Sequence, residues 1–64
     1  MKKTITLTVD QVFEVLVALD DRADTFRRFR QAPDISAESL ERYAQKLHVI
    51  EGAVQAIHSA PWEG

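Results

Sequence analysis

Pro33 divides this chain into two stretches that each repeat apolar residues at helical spacing, and that division limits the folds open to it. A residue ahead of a proline is pushed out of the α region, so a helix running toward position 33 must stop before it. Upstream, Val9, Val12, Phe13, Val15, Leu16, Val17 and Leu19, continuing to Ala23, Phe26 and Phe29, predict a first helix over 9–30. Thr8 is a good N-cap. Gln11 stands where a capping-box partner should, and Leu7 and Val12 take the hydrophobic-staple positions around the cap. Asp10 in the first turn and Arg27, Arg28 and Arg30 in the last turns suit the helix dipole. Downstream, Ser36 caps a second helix over 36–58, with Ile35 and Leu40 as its staple, and the helix stops before Pro61. Its apolar residues Leu40, Tyr43, Leu47, Ile50, Val54 and Ile57 follow a 3-4-3-4-3 spacing, which suits one helix of a bundle. Two helices of about 33 Å joined by a short connection form an antiparallel hairpin. Gly52 costs the second helix about 1 kcal/mol relative to alanine, and is expected to mark a close approach between helices. Residues 59–64 read as an irregular tail, with Trp62 either folded back or exposed.

Thr4-Ile5-Thr6-Leu7-Thr8 alternate with period two, predicting a short strand over 3–8 with Ile5 and Leu7 on one face. No second strand-like segment follows. This strand must therefore pair with the same strand of another subunit, add to a partner's sheet, or stay extended and solvated.

Size makes the need for another chain general. The 64 residues contain no cysteine and allow one small domain over 1–64. A compact fold of this size hides about 60% of its unfolded surface, about 4,200 Å² remaining exposed. Burial then contributes about 95 kcal/mol at about 25 cal/mol/Å², and ordering the chain costs about the same. A lone monomer comes out near zero, so self-association is expected. The first half of helix one is apolar over an arc of about 200°, twice what one neighbouring helix covers. The residues expected in an oligomer interface are Ile5, Leu7, Val12, Val15, Leu16, Val17 and Leu19, with Tyr43, Leu47, Ile50 and Val54. The fold class that follows is mainly α: an antiparallel two-helix hairpin preceded by a short N-terminal strand, assembling into a homodimeric four-helix bundle.

Charge narrows the function classes. Residues 1–32 carry six basic and five acidic side chains, and residues 33–64 carry two and five, for a net charge of −2. Nucleic-acid binders usually show a basic surplus, so nucleic acid is the less favoured partner. No apolar run reaches membrane-span length, and Met1-Lys2-Lys3 leads into alternating Thr and apolar residues rather than a signal-peptide core. A cytoplasmic protein is expected.

Candidate chemistry is sparse. Asp20, Asp21 and Asp24 cluster, but only Asp20 and Asp24 share a close face, and Asp24 is able to pair with Arg27 or Arg28. His48 and His58 lie off the spacing that would put two metal ligands on one helix face. The only glycines, Gly52 and Gly64, make no phosphate-cradling loop. No catalytic residue, metal or cofactor is expected, and the chain is not expected to be an enzyme. The concentrated feature is Arg22, Phe26, Arg27, Arg28, Phe29 and Arg30. Arg side chains recognise carboxylate and phosphate through a planar fork, and the interleaved rings suit a protein partner. Complementing the helix dipole competes with that role.

The order strand–helix–helix, with Thr4, Thr6 and Thr8 alternating against Ile5 and Leu7, resembles the ribbon–helix–helix family of DNA-binding dimers. That resemblance implies strands paired between two subunits, with Lys2, Thr4 and Thr6 entering the major groove. Family members break a shorter first helix at a Gly-containing turn, whereas Asp20–Thr25 here contains no glycine and reads as continuous helix. The chain also resembles, in general style, the small cysteine-free proteins of bacteria and their phages, many of which bind a host protein. Three functions are therefore expected in order: a homo-oligomeric protein-interaction module acting as inhibitor, adaptor or regulator; a ribbon–helix–helix-like transcriptional regulator; and an oligomeric binder of a small anionic ligand such as a nucleotide.

Overall fold

Thr8 starts the first helix by a reciprocal pair of hydrogen bonds. In the computed structural model, which describes residues 1–63, the Gln11 N–H donates to Thr8 Oγ1 at 3.2 Å, and the Thr8 N–H donates to Gln11 Oε1 at 2.9 Å. These satisfy donors that the first helical turn leaves without partners. Helix α1 then runs without a break over Val9–Arg30. The Gln31 N–H donates to the carbonyls of Arg28 and Phe29, tightening the last turn before the chain turns through Pro33. Ser36 Oγ accepts from the Ser39 N–H at 3.1 Å and opens α2, Ala37–Ser59. The two helices pack against each other as a hairpin.

The core is small. Ala23 and Phe26 of α1 meet Leu47 and Ile50 of α2, and Leu19, Tyr43 and Val54 pack around them. The rings of Phe26, Phe29 and Tyr43 form a trio with centroids 5.5–6.3 Å apart, within the range where edge and tilted aromatic contacts are favourable. The Arg22 guanidinium lies 4.9 Å from the Phe26 ring centroid.

Several expectations need correction. Residues 3–8 form no strand; among the described residues there is none at all. The alternation of Thr with Ile5 and Leu7 is genuine, but a ladder needs a second edge, and one chain supplies none. Lys2, Thr4 and Thr6 are exposed and lie on no ribbon, so the feature on which the ribbon–helix–helix resemblance rested is missing from the chain by itself. Gly52 marks no close approach: a Cβ built there would meet nothing within 4 Å. Replacing it with alanine should therefore stabilise α2 by about 1 kcal/mol, from helix propensity alone, measurable as a raised melting temperature by circular dichroism. Trp62 is exposed and does not fold back. The last residue of the expected tail, Gly64, lies outside the described residues.

A hairpin is one layer of helices, and its shape shows it. With its non-helical ends included, the chain's extents are 50 × 25 × 14 Å and its radius of gyration is 14.5 Å, against about 10.7 Å for a compact chain of this length. The chain exposes 5738 Å², about 1,500 Å² more than a compact monomer of its mass.

Candidate functional site

The distribution of burial along α1 runs opposite to its composition. Eight of the eleven residues from Val9 to Leu19 are apolar, yet none of them is buried. From Asp20 to Arg30 only three are apolar, and two of these, Ala23 and Phe26, are α1's whole share of the core. The hairpin thus closes around its middle and leaves the end with the chain termini open. At that end Val12, Val15, Leu16 and Leu19 of α1 and Val54 and Ile57 of α2 are only half-buried. Val9, Phe13 and Val17 are 66%, 66% and 45% exposed and follow one another at i, i+4 and i+8, so they form a stripe along one flank of α1. Ile5 is exposed beside a half-buried Leu7.

This sorts the residues expected in an oligomer interface. Leu47 and Ile50 are buried within a single chain, and Leu19, Tyr43 and Val54 pack on them. These five hold the hairpin together. Ile5, Leu7, Val12, Val15, Leu16 and Val17 keep surface for another chain. Phe13 and Val9, outside that expected set, likewise keep exposed apolar surface. The i, i+4, i+8 spacing of Val9, Phe13 and Val17 was the signal that marks them.

The arginine and phenylalanine cluster does not stay together in space. Phe26 is 6% exposed and is a core residue, so little of its ring reaches the surface. Phe29 is half-exposed, its ring against those of Phe26 and Tyr43. Arg28 pairs with Asp24 at 3.3 Å on the exposed surface, an interaction of the kind that contributes well under 1 kcal/mol. Arg30 is exposed. Arg27 and Arg22 line different grooves on the two sides of the hairpin. Residues adjacent in a helix point about 100° apart, which is why a dense run of charges spreads around the axis.

The two grooves differ in chemistry. The larger, about 660 Å³, has Leu16, Leu19 and Ala23 on its floor and mixes Asp20 and Glu51 with Arg27, His48 and His58. The other, about 430 Å³, is lined by Arg22 from α1 and by Arg42 and Lys46 from α2, with no carboxylate in its lining. Its apolar lining residues are Phe26, Val49 and Ile50. Arg42 and Lys46 were also missed; their i, i+4 spacing was visible, but their meeting with Arg22 depends on how α2 is rotated against α1. Among the described residues no group of three His, Cys, Asp or Glu side chains comes together where a metal ion would be held. No helix among them is long and apolar enough to cross a membrane. Comparison of the chain with protein-family models, curated proteins and solved structures finds no match.

Proposed function

We propose that this chain is a non-enzymatic, self-associating module that binds another protein, acting as an inhibitor, adaptor or regulator in the cytoplasm. The observation that carries the proposal is the uncovered apolar half of α1. A helix with eight apolar residues in eleven and none buried has a face made for a second packing layer. A second copy fits the area involved. The chain's excess exposed surface of about 1,500 Å², which includes its extended ends, is of the order that obligate homodimers bury on each side. A two-fold axis would lay the same patch of each hairpin against the other and build a four-helix bundle. Phe13, Val17 and Leu16 would then lie near its centre, with Val12 and Val15 beside them. Ile5 and Leu7 would extend the covered surface at the N-terminal end.

Sedimentation equilibrium at micromolar concentration tests this directly. A dimer or larger species is expected across the range. A folded, helical monomer at every concentration would overturn it.

A further inference from the structure

We propose that the groove carrying Arg22, Arg42 and Lys46 docks an acidic amphipathic helix of a partner protein. This names the partner class for the interaction module above. It uses different residues from the self-association surface, so each stands or falls by its own measurement.

Three features of the groove point to that occupant. First, its lining is cationic, with Glu38 paired to Arg42 outside it. Both helices contribute cations, and no carboxylate lines it, whereas the groove on the other side of the hairpin contains Asp20 and Glu51. Second, its lining includes an open apolar side chain. Val49 is 71% exposed, and the buried Phe26 and Ile50 also line the groove. An apolar side chain so placed gains nothing from solvent and is available to an aliphatic face. Third, the cations keep donors free. The Arg22 guanidinium is held over the Phe26 ring at 4.9 Å, which restricts its position without occupying its N–H groups. Arg42 directs one nitrogen to Glu38 Oε1 at 3.4 Å and has others to offer, and Lys46 forms no ion pair among the described residues.

An occupant complementary to this surface carries carboxylates along its edges and Leu- or Ala-like side chains along the face between them. That is the pattern of a helix lying in a groove, with pockets for apolar anchors and a charged rim that sets orientation. A phosphate-bearing small molecule would use the rim and leave the exposed Val49 without a role. Duplex nucleic acid would need a broad basic surface, and this chain carries a net charge of −2.

The probe is a labelled synthetic peptide of Glu, Leu and Ala at helical spacing, titrated with the full chain and followed by fluorescence anisotropy. Two comparison peptides accompany it, one with Lys in place of every Glu and one with the same composition scrambled. Saturable binding of the Glu peptide is expected, weakening with added salt and absent for the Lys peptide. Lys46→Glu should weaken it about tenfold through the rim, and Val49→Asp should weaken it through loss of the apolar contact. Both positions are exposed, and far-UV circular dichroism checks that each variant stays helical. The proposal fails if the Glu peptide does not bind, if the scrambled peptide binds as well, or if both variants bind like the parent. It also fails if inorganic phosphate or a short DNA duplex displaces the peptide completely at moderate salt. Sedimentation of the same samples reads self-association separately, so loss of one property is distinguished from loss of the other.

Discussion

Phe26→Ala is expected to remove about 3–5 kcal/mol of stability, most of what this fold possesses. A 64-residue chain at ordinary stability per residue has only about 3–10 kcal/mol in total. The size of the effect follows from how little else is buried. Among the described residues only Ala23, Phe26, Leu47 and Ile50 are buried, and Phe26 is the one aromatic of the four. Its ring contacts Tyr43 from α2 and Phe29 from its own helix, and it supports the Arg22 guanidinium on one face. Truncation leaves a void that helices joined at one end only partly close. Urea denaturation followed at the far-UV helix signal measures the loss. Phe29→Ala, at a half-exposed ring, should cost distinctly less, about 1 kcal/mol, because much of that ring is already in water. Equal losses at the two positions would show that the core is not centred on Phe26.

Phe13→Asp should weaken self-association by about 100-fold, equivalent to about 2.7 kcal/mol. The side chain is 66% exposed in a single chain, so the hairpin by itself loses little packing when it is replaced. In a two-fold assembly every change occurs twice, and a carboxylate brought into an apolar interface must be desolvated without a partner. Sedimentation over a concentration series measures the shift, and Phe13→Leu should retain the parent behaviour. If Phe13→Asp associates like the parent chain, the apolar flank of α1 is not where copies meet. Because assembly and folding are linked, the Asp variant is also expected to melt at lower temperature at equal concentration.

Much of the local structure was legible in the residues. Thr8 with Gln11 specifies a capping box whose two hydrogen bonds lie within four positions of each other. Ser36 likewise caps α2 within its own first turn, and Pro33 enforces the break between the helices by a clash with the residue before it. These are short-range events that require nothing from the rest of the chain. The strand over 3–8 failed for the complementary reason. Alternation selects which side chains share a face, but hydrogen bonds to a second strand make the sheet, and the described residues offer no second strand.

The candidate site was legible only in pieces. Apolar periodicity marked the residues of α1 and α2 that want burial without saying which would obtain it. Leu47 and Ile50 do, inside one hairpin, while Val12, Val15 and Leu16 are left half-covered and Phe13 exposed. The arginine run drew attention to itself because its members are neighbours in sequence, yet the helix spreads them around its axis. The cationic groove lining is instead assembled from Arg22 of α1 and from Arg42 and Lys46 of α2, which no local pattern connects across the two helices.

By itself, the sequence determined two long helices, their caps, the turn at Pro33 and a surplus of apolar surface, because each depends on sterics and hydrogen bonds within a few residues or on simple area. Only the tertiary structure decided where the surplus lies and which cations meet. Both depend on the rotation and offset of one helix against the other, set by how Ala23 and Phe26 fit against Leu47 and Ile50. That fit closes the middle of the hairpin, opens its apolar end and brings the basic groove together.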